Sequence, residues 1–560
     1  MSRRGAAAAL RAGRTLACLG GVGWFLATDP LPAWPLALGL AAYAAALWRW
    51  PGLWLWLVPA ALVGLDFTIW SGRMMVTESD PVLLVTVAVL LWRAPPTRAD
   101  LWPSGWAGWV WAAVALVLAG ETLRGLASPY RLAEGSSDPY LLAENALRLV
   151  KGPASAFLLM PFWRARERVH GDALARFAAG MVVALAVVAT AGVVERAVFP
   201  GIFDFHSFYR IAATFSSVQF GGDDIGTFLA MAPPFLVVCL APPRPLRLAA
   251  GAMVGGVGAY ALLVTYSRTA YGAAVLAALT TLALSWPRRG GRRLGAGLLA
   301  CVVFAGLAGT VLGFAADSRV MTTRLSTVLP DFQARWDNWT GGLAMVDRSP
   351  VAMALGMGLG TFPRIARLRA TLPLRPSNDV VLRGRKGRFL RIRTGSRFYF
   401  GQKVAVRPGA MYRLRFWLRT APGSQADAVL CEKLLLYSEA CNAAPIPPGP
   451  PGVWRRIAVP LSAAGLDRRV VLGGLRRPIE FSVFPAGPGQ QVDVARLRLI
   501  GPGGREVLHN GSFRDGTARW YPTDDTHLAW AIWNEYAAQF FAGGALGLAM
   551  WLLLGAAALW

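Results

Sequence analysis

Charge is what this sequence has least of. Only 16% of its 560 residues are charged and 55% are hydrophobic, where a soluble domain carries about 25% charged residues. The deficit excludes an ordinary water-soluble protein and leaves much of the surface to face lipid. Acid is scarcer still, with 31 Asp and Glu against 57 Lys and Arg, a net charge of +26. In a soluble chain that excess would suggest nucleic acid. Here Arg is spread through short loops between apolar runs, as a membrane protein's inside charges are, so no nucleic-acid partner is expected. Cysteine is sparse, with 5 residues and no CxxC pair, which argues against a zinc or thioredoxin-like site. Cys18, Cys239 and Cys301 lie in apolar runs and read as small buried side chains. No clear small-residue cleavage site follows Arg3, Arg4, Arg11 and Arg14, so the first apolar run reads as a span rather than a signal peptide. No repeat or low-complexity tract stands out.

Apolar length is what the chain has most of. Mean hydropathy is +0.43, and the 23 Trp residues suit a membrane interface. A helical span takes about 20 apolar residues. Spans are predicted near 15–30, 33–48, 52–70, 79–92, 105–121, 144–163, 176–198, 225–241, 246–264, 269–286, 294–315 and 536–558. With the N-terminus inside, the inside loops hold Arg49, then Arg93 and Arg98. Next come Arg164, Arg166, Arg168 and Arg176, then Arg244 and Arg247, and last Arg288, Arg289, Arg292 and Arg293. Opposite loops are richer in acid, as in Glu78-Ser79-Asp80 and Asp223-Asp224. This alternation places the long segment before the last span outside.

That segment changes character. Up to about Leu372 it reads as amphipathic helix; from about Arg388 to Leu508 it reads as short alternating strands. Phe389–Arg393, Tyr412–Leu418 and Val492–Leu499 are examples, with turn signals at Arg407-Pro408-Gly409 and from Pro445 to Gly452. The fold class expected is mainly α, a polytopic transmembrane helical bundle with an inserted extracytoplasmic antiparallel β-sandwich. The expected domains are a bundle over 1–315, an amphipathic helical loop over 316–375, the sandwich over 376–525, and a returning segment with the last span over 526–560. Cys431 and Cys441 fall in the sandwich, where a disulfide and two buried thiols are both open.

Arg210 and Arg268 lie at the outer edge of apolar spans. Each can snorkel and anchor a helix; together they can also bind a lipid pyrophosphate through bidentate hydrogen bonds. The run Thr265-Tyr266-Ser267-Arg268-Thr269-Ala270 resembles the T-x-S-R-[GT]-A signature of the O-antigen ligase and O-antigen polymerase superfamily. Arg210 with Thr214-Phe215 resembles its R-x-x-(G)-T-F element. Arg335 with Trp339, followed by Leu355-Gly356-Met357-Gly358-Leu359-Gly360-Thr361-Phe362, resembles its outer-loop helix and glycine-rich stretch. Asn534-Glu535-Tyr536 with Gly544-Ala545-Leu546-Gly547 resembles H-N-x-Y-L then G-x-x-G. The resemblance covers roughly 170–365 and 525–560.

What this resemblance implies is a metal-independent glycosyltransferase of a bacterial inner membrane, needing no cofactor. Such enzymes take a glycan from undecaprenyl pyrophosphate on the periplasmic side and pass it to an acceptor hydroxyl on a glycan, lipid or protein. Arg210 and Arg268 would hold the pyrophosphate and stabilise it as it leaves, with Arg335, Asn534 and Asp224 binding substrate. A general base would deprotonate the acceptor. The family's His before the Asn is Trp533 here. His527 lies about two helical turns upstream and shares a face with Asn534 if the helix is continuous; it is either the substitute base or a polar residue at a domain hinge. Glu144, Lys151, Asp223 and Asp224 are secondary polar candidates. The sandwich resembles carbohydrate-binding jelly rolls at Val406–Leu414 and, in a permuted position, at Asn510-Gly511-Ser512-Phe513 through Trp520. Its aromatics either bind glycan or form the core of a folded spacer. The alternative for the whole chain is a non-catalytic polysaccharide-binding or export accessory protein. A transporter fits less well, since the paired midplane charges it needs are scarce.

Overall fold

The computed structural model describes residues 3–216, 223–240, 244–285, 309, 323, 326–372, 374–385, 387–466, 470–471 and 474–559. The expected span at 294–315, apart from residue 309, the basic loop from Arg288 to Arg293 and Cys301 lie outside the described residues.

The apolar runs form helices α1 (Arg3–Thr28), α2 (Ala33–Arg49), α3 (Trp54–Gly64), α4 (Thr68–Ser71), α5 (Ser79–Arg93), α6 (Trp106–Leu126), α7 (Asn145–His170) and α8 (Ala173–Val198). After them come α9 (Asp223–Met231), α10 (Pro245–Leu263) and α11 (Arg268–Ser285). Then follow α12 (Val328–Ala344), α13 (Pro350–Leu355), α14 (Phe362–Arg369) and, after the strands, α15 (Glu535–Leu559). Among the described residues four helices, α6, α8, α10 and α15, are long and apolar enough to cross a membrane. Two expected spans are interrupted. At 52–70, α3 stops at Gly64, and Asp66 accepts the Thr68 N–H at 3.1 Å to start the separate turn α4. At 225–241, α9 gives way to a 3-10 helix over Pro233–Leu240, because Pro233 and Pro234 have no N–H to continue the α ladder.

Between α14 and α15 the chain forms two five-stranded antiparallel sheets. The strands are β1 (Asn378–Gly384), β2 (Gly387–Arg393), β3 (Phe398–Val404), β4 (Met411–Thr420), β5 (Ala426–Lys433) and β6 (Ser438–Ala443). They continue as β7 (Arg455–Ser462), β8 (Val470–Val471), β9 (Leu475–Arg476), β10 (Ile479–Pro485), β11 (Gln491–Ile500) and β12 (Tyr521–Asp524). The first sheet runs β1-β2-β11-β4-β7 and the second β12-β3-β10-β5-β6, while β8 and β9 make a separate ribbon. The period-2 alternation puts Leu414, Phe416 and Leu418 inward from the first sheet against Phe400, Leu430 and Phe481 of the second. Trp520 is fully buried and stacked on Phe400 at 5.4 Å, so this aromatic belongs to the core. Cys431 and Cys441 are register partners across β5 and β6 and are joined as a disulfide, with Cα atoms 4.1 Å apart.

The sandwich is fused to the helical part rather than tethered to it. Its core continues into Ile69, Leu141, Ala212 and Trp530. Glu134, in the α6–α7 loop, pairs with Arg391 and Arg393, each at 3.0 Å. The Ser137 N–H donates to the Asp379 carbonyl at 2.7 Å, and the Arg519 N–H to the Ser71 carbonyl at 2.8 Å. The two ends of the sandwich meet at the turn before β3. There the Gly395 N–H donates to the Ser377 hydroxyl at 3.1 Å, and the Ser396 hydroxyl donates to Asp524.

Candidate functional site

The site begins at the end of α8, where two adjacent charged residues, Glu195 and Arg196, are buried. Buried charges persist when they are paired and hydrogen-bonded, and these two organise the loop that follows. Glu195 accepts the Tyr209 hydroxyl at 2.8 Å and the N–H groups of Ala212 and Ala213 at 3.0 and 2.6 Å. Arg196 donates to the Tyr209 carbonyl at 2.8 Å and to the Asp204 carbonyl. The loop so held presents Arg210, whose Nε donates to the Thr265 carbonyl at 2.7 Å.

Thr265 lies in the tight turn from α10 to α11, where Tyr266 has a positive φ of 50°. Arg268 is the first residue of α11. The structure therefore joins Arg210 to the turn that carries Arg268. Arg268 pairs with Asp331 on α12. A guanidinium is a planar fork, so this pair fixes the direction of the Arg268 donors. Arg335 lies one turn beyond Asp331 on the same helix and is half-buried. Asp224 lies in the first turn of α9, two residues before Gly226, where a Cβ would stand 2.9 Å from Ala270 Cβ and 3.6 Å from the Ser267 Oγ. That packing brings α9 against the same turn. Near it, Arg148 stacks on the Tyr140 ring at 3.9 Å. Burial pushes the Tyr140 hydroxyl up; Arg148 opposes this, and the Asp224 and Asp138 charges add to it. Lys151 is committed to Asp80 at 2.8 Å. Glu144 lies within electrostatic reach of the buried Arg364.

The segment before the last helix differs from expectation. No helix runs from His527 to Asn534. A 3-10 turn spans His527–Ala529 and α15 starts only at Glu535, so the two side chains do not share a helix face. The physical reason is Asn338 on α12, buried, which fixes the intervening backbone. Its Nδ2 donates to the carbonyls of Leu528 at 2.7 Å and Ala531 at 3.2 Å, and its Oδ1 accepts the Trp533 N–H at 3.1 Å. Asn534 acts as the N-cap of α15, its Oδ1 accepting the Ala537 N–H at 3.1 Å. Trp533 donates from Nε1 to the His527 carbonyl at 3.0 Å and meets the His527 ring edge-on at 5.1 Å. Asp331, Arg335 and Asn338 fall at i, i+4 and i+7 on one face of α12. The arginine cluster and the His527 segment are thus attached to one helix face about 10 Å apart along the axis.

The glycine-rich stretch splices the helices together. Gly356 and Gly358 have φ of 68° and 98°, a region that disfavours a side chain. A Cβ at Gly356 would stand 2.3 Å from the Ala542 carbonyl oxygen, and one at Gly358 2.4 Å from the Gly125 nitrogen. The N–H groups of Met357 and Gly358 donate to the carbonyls of Phe541 and Ala542 in α15 at 2.7 and 2.9 Å, and that of Leu359 to Glu121 in α6 at 2.9 Å.

The sandwich reaches the Arg210 loop through Arg477. That guanidinium donates to the Val198 carbonyl at 2.9 Å and the Phe199 carbonyl at 2.5 Å, at the end of α8, and pairs with Glu432 of β5. Phe199 stacks on Tyr209 at 4.9 Å, and Tyr437 lies against Tyr209 at 5.7 Å. Sequence reasoning missed Asp331, Asn338, Arg148 and Arg477. It also missed Glu195 and Arg196, although two adjacent charges inside an apolar run are a visible signal. Among the described residues no three His, Cys, Asp or Glu side chains form a group able to hold a metal ion.

Apolar helices long enough to span a membrane, with guanidiniums gathered at one turn, point to a membrane protein. Residues 227–380 match the family model described as O-antigen ligase. Over that stretch the chain is similar to an O-antigen ligase domain, and with its four apolar helices this points to a membrane protein of glycan processing. The match takes in Arg268, Asp331, Arg335 and the glycine-rich stretch, and leaves Arg210, Asp224, His527 and Asn534 outside. No curated protein and no solved structure matches the chain.

Proposed function

We propose that the protein transfers a glycan from undecaprenyl pyrophosphate to an acceptor hydroxyl, at the periplasmic side of a bacterial inner membrane crossed about twelve times. The observation that carries this reading is the hydrogen bond from Arg210 to Thr265, which ties the two guanidiniums to one turn at the end of spanning helices. Arg210 and Arg268 then hold the diphosphate and stabilise its charge as the glycosyl bond breaks. Arg335 and Asp224 line the approach, and Asn534 fixes the start of the last helix beneath it. His527 takes the acceptor proton.

Arg268→Lys tests this. Lys keeps the charge but presents a point ammonium in place of a planar fork. Transfer from a lipid-linked donor, in membranes matched for protein level, should fall about a hundredfold. Arg210→Lys should behave likewise, and the double change should cost less than the sum, since both hold one ligand. Near-normal transfer by Arg268→Lys would remove the central residue of the mechanism.

A second reading, a polysaccharide-binding or export accessory protein without transferase chemistry, is favoured by one observation: Trp533 occupies the expected His position and packs on His527. A His527→Gln change separates the two readings. It abolishes transfer in the first and leaves glycan export at the parent level in the second.

A further inference from the structure

The face of the first sheet that points away from the sandwich core carries arginine on strand after strand. Towards the helical part these charges are neutralised. Asp493 takes Arg391 at 2.8 Å and also pairs with Arg419 at 2.5 Å, and Glu134 takes Arg393 at 3.0 Å. Further along β4 the compensation stops. Arg413 and Arg415 have no acidic partner among the described residues. Arg415 lies directly opposite Arg498 in the β4–β11 register, and like charges directly opposite each other destabilise a sheet. Arg498 is itself answered by Glu506 at 2.8 Å, whereas Arg415 is not. A cavity of about 690 Å³ lies here, lined by Arg413, Arg415, Ala458, Pro460, Ile500 and the backbone of Gly501.

We propose that this trough binds an acidic polysaccharide, one whose sugar units carry carboxylates. Three features fit that ligand class. Arg413 and Arg415 alternate along one strand face, so their stems are about 7 Å apart, and each fork can take one carboxylate through paired hydrogen bonds. The floor between the strands, formed by Ala458, Pro460 and Ile500, is apolar and shallow, suited to the C–H face of a sugar ring. The volume lies within the roughly 300–1,000 Å³ of ligand sites. The position favours a glycan over a lipid surface. Arg413 and Arg415 lie six and four residues up β4 from Arg419, about 20 and 13 Å along the strand, whereas the Glu134 contact that joins this sheet to the helical part is made on β2, where Arg391 is level with Arg419. A bound acid chain also relieves the Arg415–Arg498 opposition, so the sheet gives up some stability for a place to hold anions.

The test uses the full chain in nanodiscs of zwitterionic lipid, with no donor present, so that binding is read apart from transfer. The probe is a fluorescently labelled oligogalacturonate. A neutral malto-oligosaccharide of equal length and vesicles rich in phosphatidylglycerol are the comparison ligands. The oligogalacturonate should bind at least tenfold more tightly than the neutral chain, and more weakly as salt rises. R413Q/R415Q should lose on the order of tenfold or more, and R413K/R415K, which keeps the charge but not the fork, should fall between it and the parent; an unfolding temperature no lower than the parent's in both variants separates lost binding from lost folding. R268K should bind as the parent does, so a failed transferase mechanism leaves this result intact. Equal affinity in R413Q/R415Q overturns the proposal, as does equal binding of the neutral chain. Loss of vesicle binding with unchanged oligogalacturonate binding overturns it in favour of a lipid surface.

Discussion

In the helical part Trp109, Leu116 and Leu246 stand out from their helices, 80%, 76% and 82% exposed; in the sandwich Leu390, Leu414 and Leu430 are fully buried. Both regions are rich in leucine, and they direct it oppositely. A sandwich in water must enclose its apolar side chains to gain the hydrophobic stabilisation. A spanning helix gains the same by facing lipid, so its outward leucines need no protein partner. Polar groups invert in turn. Arginine covers the exposed face of the first sheet, whereas among the helices it is held at helix ends and turns by carbonyls or acids, as Arg196 and Arg268 are.

The sharpest way to break this contrast is a matched pair of truncations. Phe416→Ala, inside the sandwich, should cost about 3–5 kcal/mol, while Leu116→Ala on α6 should stay within about 0.5 kcal/mol. Thermal unfolding of the purified chain followed by Trp fluorescence checks both, and equal costs would make the two surfaces equivalent.

Next in size is the disulfide. The loop from Cys431 to Cys441 closes a sequence separation of 10, and chain entropy gives about 3 kcal/mol for so short a loop. Reduction should lower the unfolding temperature of the chain, read by Trp fluorescence.

Arg477→Gln at the boundary should cost about 2 kcal/mol, by removing the guanidinium that Glu432 accepts and leaving the end of α8 uncapped. It should also slow transfer, because the Phe199–Tyr209 stack beside Arg210 loosens. An unchanged rate with lowered stability would confine Arg477 to docking.

The smallest effect is on pH. Asp138 in the α6–α7 loop, Asp379 in β1 and Asp524 at the end of β12 are buried where the two regions join. Burial pushes all three carboxyls up, Asp524 to about 6. Between about pH 4 and these raised values the folded chain keeps protons that the unfolded chain has lost, so stability is fullest at low pH and declines as pH rises through that window. Glu480 acts in the other direction. Burial raises it, but Lys403 and Lys433 outweigh that and hold it at about 2, so its contribution is lost only below about pH 4. Unfolding should therefore shift down by a few degrees between pH 5 and pH 8, and Asp524→Asn should flatten that slope; each kcal/mol corresponds to about 2–4 °C in a unit the size of the sandwich.

The strands were legible where period-2 alternation was strong. Phe389–Arg393, Tyr412–Leu418 and Val492–Leu499 fall in β2, β4 and β11. The register shift between Ala495 and Arg498 was not legible, because a bulge leaves no mark on alternation of two or three residues. Arg210 and Arg268 were legible as charges beside apolar runs. Their link was not, since it runs through the Thr265 carbonyl, and backbone groups have no signature in a sequence. The relation of His527 to Asn534 was misread for a related reason: helical spacing holds only while the ladder holds, and Asn338, some 190 residues earlier, takes those carbonyls.

The glycine splice carries a consequence for how the chain is made. Gly358 is synthesised before the sandwich, and its partner Ala542 after it. Until the last helix arrives, the N–H groups of Met357 and Gly358 lack the carbonyls they donate to, while that of Leu359 already has Glu121 in α6. The sandwich closes on itself at Ser396 and Asp524, which delivers the chain back to its point of departure. Completion of the helical part is thereby timed to the synthesis of the whole sandwich.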